Sequence, residues 1–484
     1  MNIINGIESV QHRSLDRAVI EPALQPSWRA RDVTRDWTSR PQRPKLRLVA
    51  WLPLFVALVW LLGTFGAFWL TGLARYVENP DKLCLFVLGA TGLFALGYAL
   101  QIHQRPLSRI AEFDSKDNVR LVRRLIVAGS VYFAVRSLAR LSEFGATGAG
   151  SVWASVQNPA TGYANKFEVI QQSVGEMSPL MVLLALFGAL GAVLVPLLVL
   201  HWRNLSVIMR LMGVAAIILH VSFFLFIGTM KGLGDLVIML LGGLLIALAT
   251  MGRRARARSR RRLALVLMTG AFSLFVFYMT YVHATRSAEF GTGELLRPSP
   301  AVASVLGTRA AEGISATLFY PTHGYLGLSH NLQVPFEWSY GLGSSMSVAT
   351  FADQAMGIDP MEHPAYPYRT EAEEGWPALM YWATIYPWLA SDLTFPGAAL
   401  FMGLVGWLFA RTWTDAVSTR RVLPTVIFAQ LCLLIAYVPA NNQLGLSPES
   451  ITGISTLLVL YALSAMSRSS RPKSQRRPLA TPAR

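Results

Sequence analysis

Apolar runs of about twenty residues, separated by short polar stretches, dominate this chain from residue 48 to residue 467. A helix needs roughly 20 apolar residues to cross a bilayer core. Ten segments satisfy that, at about 48–70, 83–102, 121–141, 178–200, 207–229, 233–251, 262–282, 394–412, 422–440 and 450–467. The pattern predicts an all-α polytopic membrane protein. The stretch 211–250 is too long for one crossing and long enough for two, so KGLGD (231–235) is expected as a hairpin turn. Residues 1–47 are polar and Arg-rich and contain no short apolar core. They read as a disordered tail, with the first span an uncleaved anchor. The expected organisation is therefore tail 1–47, seven spans in 48–282, a large loop 283–393, three spans in 394–467, and a basic tail 468–484.

Charge supplies the orientation. The chain is 53% hydrophobic and 14% charged, with a net charge of +16, where soluble domains carry about 25% charged residues. The cations gather in alternate connections: RPQRPKLR, HQRPLSRIAEFDSKDNVRLVRR, GRRARARSRRR, RTWTDAVSTRR and SRSSRPKSQRRPLATPAR. The connections between them are poor in Lys and Arg. Positive loops stay cytoplasmic, so both termini are expected there. That distribution explains the net charge by topology and anionic lipid and sets nucleic acid aside as a partner. Cys84 and Cys432 are the only cysteines, too few for a disulfide framework or a Cys-rich metal site.

The opposite side carries the candidate chemistry. The 283–393 loop is far longer than a connection requires, and such loops are usually functional or disordered. This one is rich in aromatics. PSPAVASVLGTRAAEGISATLFY reads as one capped helix, and GWPALMYWATIYPWLA as a helix lying at the membrane interface. Arg136 and Arg140, one helical turn apart, share a face at the outer end of the third span. Lys231, Arg286, Arg309 and Arg369 add cations to the same side. Such a ring suits a phosphate or diphosphate at headgroup depth, because Arg matches phosphate in a fork and Lys adds a point charge. The plain alternative is snorkelling at helix ends. Asp235, four residues after Lys231, reads as an intrahelical partner. His283, His323, His330 and His363 offer a general base for a sugar hydroxyl, or are ordinary loop residues. Glu371, Glu373 and Glu374 are a cluster able to hold a cation, or simply solvated acids. The first outer loop, GLARYVENPDK, has no adjacent acidic pair, which disfavours a metal-dependent transferase of that type.

Four stretches together resemble the O-antigen polymerase family, the oligosaccharide repeat-unit polymerases of bacterial envelopes. IGTMKGLGDLVIMLLGGLL resembles the family's tight outer hairpin, with Lys231 where many members have Arg. PTHGYLGLSHNLQVPFEWSYGLG resembles the large-loop segment that runs into a Gly-rich turn. YPWLASDLTFPGAALFMGLVGWL resembles the return to the membrane, with Asp392 and with Thr394 where the family often has glycine. YVPANNQLGLSPES resembles the short polar last loop, with Asn441 and Asn442. With the topology, the resemblance covers most of 48–467.

The resemblance implies a GT-C-like helical glycosyltransferase of the bacterial cytoplasmic membrane, working on its outer side without metal or nucleotide cofactor. Its substrates would be oligosaccharides on undecaprenyl diphosphate, and a chain-length regulator and a flippase would be its partners. Arg136, Arg140, Lys231, Arg286 and Arg369 would meet the diphosphate. His323, His330 or Glu374 would be the base. Trp338, Tyr340 and Tyr368 would hold sugar rings. The nearest rival is an O-antigen ligase of similar topology. An exporter without catalysis fits less well, because one outer loop is large and the central spans are nearly free of charge. A membrane sensor fits least, because no output module follows on the cytoplasmic side.

Overall fold

The computed structural model describes residues 43–110, 119–172, 179–250, 255–290, 295–358, 364–378 and 380–469. Every regular element among them is helical. Eight helices are long and apolar enough to cross a membrane. They are α1 (Arg43–Leu70), α2 (Pro80–Gln104), α3 (Val119–Glu143), α8 (Val207–Phe226), α9 (Lys231–Thr250), α10 (Ala255–Phe290), α15 (Ile385–Thr419) and α17 (Pro448–Ser469). A bent pair of helices makes a ninth if its two halves form one span. Its halves α6 (Pro179–Leu186) and α7 (Gly188–His201) meet at a 53° bend. Two short helices, α4 (Ala149–Gln157) and α5 (Pro159–Gln172), precede it.

The tenth expected span is α16 (Val422–Tyr437), which at 16 residues falls short of a full crossing. Sixteen residues rise only about 24 Å, against a core about 30 Å thick. It is buried on nearly every side, so it meets protein, not lipid, and has no bilayer thickness to match.

Backbone contact sets the tightest seam. A side chain at Gly97 of α2 would run into the carbonyl of Gly403 in α15, and one at Gly406 into the carbonyl of Phe94. Small residues let helices approach this closely where lipid gives no hydrophobic drive for association. Of the spaced glycines after Asp392, Gly403 and Gly406 therefore serve packing, whereas Gly397 meets only its own helix. Gly188 and Gly453 do the same between α7 and α17.

The large loop differs from expectation. Its helices are α11 (Pro300–Leu306), α12 (Thr308–Asn331), α13 (Met346–Met356) and α14 (Tyr366–Glu374). The single helix expected over 298–320 breaks at Gly307, which has φ +79°. PTHGYLGLSHNL lies inside α12, and α12 is embedded in the body of the protein. Tyr325 sits between Phe65 and Phe68 of α1 at 5.2 and 5.8 Å, and its hydroxyl meets that of Thr64 at 2.9 Å. The expected interface helix over 375–390 is also absent. Residues 375–378 and 380–384 are irregular and helix resumes at Ile385. Trp376, Tyr386 and Trp388 are buried, because they pack onto His330 of α12, Phe86 of α2 and Tyr368 of α14 and so do not face headgroups.

Inside α15, Thr394 has φ 64° and ψ 165°, and the helix is kinked there. That backbone region is essentially reserved for glycine, so this chain holds a threonine where the local geometry asks for glycine. Thr394 Oγ1 accepts from the Gly397 N–H at 3.4 Å as partial compensation. Thr394→Gly is expected to stabilise the protein by about 1 kcal/mol, and Gly406→Val to destabilise it by about 3 kcal/mol. Thermal unfolding of the detergent-solubilised protein reads both, and equal melting temperatures for the two variants would contradict them.

Candidate functional site: a paired-charge pocket

The C-terminal end of α3, the N-terminal ends of α9 and α17 and the C-terminal end of α16 meet at one end of the bundle. Between them lies a pocket with about 660 Å³ of empty space, counting its open mouth.

Arg136 and Arg140 do share a face, and both reach Glu449 at the start of α17. Arg136 Nε donates to Glu449 Oε1 at 3.1 Å, and Arg140 Nη2 lies 3.7 Å from the same oxygen. Arg140 also pairs with Glu143 at 3.0 Å. Across the pocket, Lys231 Nζ lies 3.6 Å from Asp235 Oδ2. Asp235 is more than an intrahelical partner. Both its oxygens accept from Gln443 Nε2 at 3.1 Å, so the last loop holds it from outside the helix. A charge at membrane depth is costly unless paired, and here Glu449 and Asp235 each take a partner from a distant part of the chain, Glu449 from α3 and Asp235 from the last loop.

The expected turn at KGLGD lies a few residues earlier. Residues Ile227–Met230 make it, with Gly228 at φ +57° seated on Pro159 of α5. Lys231 is thus the first residue of α9. Gly232 is small because the ring of Phe224 lies against it.

Three residues that line this pocket carry polar atoms with no partner: Tyr132 Oη, His220 Nδ1 and Glu449 Oε2. All three residues are more than nine-tenths buried. The His220 ring is held between Phe133 and Phe224 at 4.5 and 4.9 Å. Sequence reasoning missed Glu449, His220, Tyr132 and Gln443. A lone carboxylate at the start of an apolar span was the available signal for Glu449.

The other expected site residues are elsewhere. His323 is enclosed, stacked on Phe319 and Trp382, with Nδ1 on the Phe319 carbonyl at 2.9 Å and Nε2 accepting from the Trp382 N–H at 3.1 Å. Both nitrogens hold the fold and burial pushes its pKa down to about 4, so it offers no nitrogen to a substrate. His330 Nδ1 faces Glu374 Oε2 at 3.5 Å, and its ring lies near Trp376. Arg369 is buried, donates to the Pro335 carbonyl at 2.8 Å and lies over the Tyr366 ring. It braces the loop and is not among the residues lining the pocket. Tyr368 packs edge-on against Trp388 at 5.9 Å, and burial raises its pKa. The side chains of Arg286, Arg309 and His283, and all of His363, lie outside the described residues. Glu371 accepts from the Ala378 N–H at 3.1 Å. Among the described residues no three His, Cys, Asp or Glu side chains converge as a metal site.

Trp338 and Tyr340 are exposed and 4.6 Å apart. Their loop is built on Asp392. That carboxylate accepts from Ser339 Oγ at 2.6 Å, the Gly341 N–H at 2.8 Å and the Ser344 N–H at 2.7 Å, and from the Ser344 hydroxyl. The last loop holds the same turn from the other side. Asn442 Nδ2 donates to the Ser344 carbonyl at 2.7 Å, and Ser345 Oγ to the Gly445 carbonyl at 2.7 Å. Residues 442–445 thus bridge the aromatic pair and, through Gln443, the cation pocket.

Compared with known proteins, the chain matches no family model, no curated sequence and no solved structure.

A histidine neutral in the fold, but free to protonate when unfolded, adds stability that is present above pH 6.5 and lost as the pH falls toward 4. The wild-type protein should lose about 3 kcal/mol over that window from His323 alone. His323→Gln should flatten that part of the slope in pH-resolved thermal melts. An unchanged slope would show that His323 is not the titrating group.

Proposed function

We propose that this chain polymerises oligosaccharide repeat units carried on undecaprenyl diphosphate, at the outer face of the bacterial cytoplasmic membrane. The observation that carries the reading is the convergence of Arg136 and Lys231 on one pocket at a single end of the bundle, with Arg140 adjoining through Glu449. Transfer of a glycosyl group from a lipid diphosphate builds negative charge on the departing phosphates. Cations held in place before reaction stabilise that charge without reorganisation. An acceptor hydroxyl needs a base with a nitrogen or oxygen free to take its proton. His330, whose Nδ1 has no hydrogen-bond partner and faces Glu374 at 3.5 Å, suits that role better than His323, whose nitrogens are already engaged. The exposed Trp338–Tyr340 pair presents flat apolar faces suited to sugar rings.

An O-antigen ligase would use the same donor half of the site with a different acceptor, and one gel separates the two. In a strain lacking the gene, surface glycan should collapse from a ladder to single exported repeat units. Full-length chains left on the carrier lipid would indicate a ligase instead. In complemented strains with normal protein levels, Arg136→Ala should lower chain elongation by about 100-fold. An undiminished ladder from that variant would remove the diphosphate role.

A further inference from the structure

The pocket's charges are balanced in a way that restricts what enters it. Its lining includes two cations, Arg136 and Lys231, and two carboxylates, Asp235 and Glu449, with Arg140 adjoining. An anion entering such a site meets a carboxylate for every cation unless one carboxylate gives way.

The two carboxylates are held very differently. Both oxygens of Asp235 are bound by Gln443, and Lys231 lies beside one of them. Glu449 engages both arginines through a single oxygen, Oε1, and its Oε2 is buried without a partner. Arg136 in turn gives Glu449 only its Nε. A guanidinium binds an oxyanion best through two parallel N–H groups, and neither arginine uses that mode toward Glu449. Two donors that can serve an oxyanion, Tyr132 Oη and His220 Nδ1 in its protonated tautomer, line the same pocket without partners. Unmade hydrogen bonds of this kind are costly when buried, and a ligand rich in oxygen acceptors would satisfy all of them together.

We infer that Glu449 is an exchangeable counter-ion, which an incoming diphosphate displaces from Arg136 and Arg140 while Asp235 stays in place. The arginines then turn their terminal nitrogens to phosphate oxygens, and Tyr132 and His220 close on the remaining ones. The carboxylate keeps the arginines paired between ligands and sets a threshold against weaker anions. Chloride offers no fork of oxygens to repay the lost ion pairs. The inference deepens the proposed lipid-diphosphate reading and names how that site is regulated.

The test uses the full chain in detergent micelles, with inorganic pyrophosphate and farnesyl diphosphate as probes, so that a soluble anion and a lipid headgroup are told apart. Binding is followed by calorimetry. Glu449→Gln keeps the side chain's shape and removes its charge, so it should bind either diphosphate about tenfold more tightly and should also gain affinity for chloride. Unchanged or weaker binding by a folded Glu449→Gln protein overturns the exchange. A measurement on the wild type keeps the question open to refutation if that variant fails to fold. Carbodiimide labelling of Glu449, read by peptide mass mapping, should rise several-fold when diphosphate is added. Labelling that stays level while diphosphate binds overturns the exchange but leaves the diphosphate site standing. Absence of diphosphate binding to the wild type overturns both.

Discussion

The structure depends first on one electrostatic constraint: a charge at the depth of a membrane must find a partner in the protein. Arg136 and Arg140 stand on the third crossing and their common carboxylate stands at the start of the last. Lys231 and Asp235 begin the middle hairpin's second helix, and Gln443 secures Asp235 from the final loop. These long-range pairs draw α3, α9 and α17 to one point. The polar contacts of 442–445 then extend the same assembly to the turn carrying Trp338 and Tyr340. Pairing costs and gains nearly cancel for buried ions. Their clearest contribution here is to fix which helix ends meet.

Much of the architecture was legible from the sequence. The apolar runs located nearly every crossing, because lipid demands length and composition together. The i, i+4 spacing placed Arg136 and Arg140 on one face. The polar last loop and Asp392 stood out as polar groups bordering apolar helices, and both prove to organise neighbouring backbone. The failures have physical causes. The aromatics of 376–388 have the composition of an interfacial belt and also of a packed interior, and only their neighbours on α12 decide between the two. The α12 segment is too polar to read as a crossing, yet Tyr325 packs it against α1, and Gly324 and Gly327 let it close on Pro439 and Trp382.

The site was less legible than the fold. Cations on one side are visible in a sequence, and so is a local partner such as Asp235, whereas the carboxylate shared by Arg136 and Arg140 comes from about three hundred residues away and carries no local sign. His323 and His330 look equivalent in PTHGYLGLSHN. One is a neutral tautomer locked between two rings and two backbone groups, and the other faces a carboxylate near the protein's surface. Thr394 illustrates the reverse case. Its residue type is plain in the sequence, but that it must hold a positive φ is visible only in the structure.

The short, enclosed α16 bears on how the protein is made. Spans enter the membrane in order from the N-terminus, and a helix that faces lipid can wait there on its own. α16 has little lipid-facing surface in the finished structure, and it carries Thr425 and Gln430 inside the core. Until α17 arrives, part of its surface lacks its final cover. Translation of α17 is therefore the step that covers α16, and a ribosome stalled before it would leave a membrane-bound chain whose enclosed helix is still open to lipid.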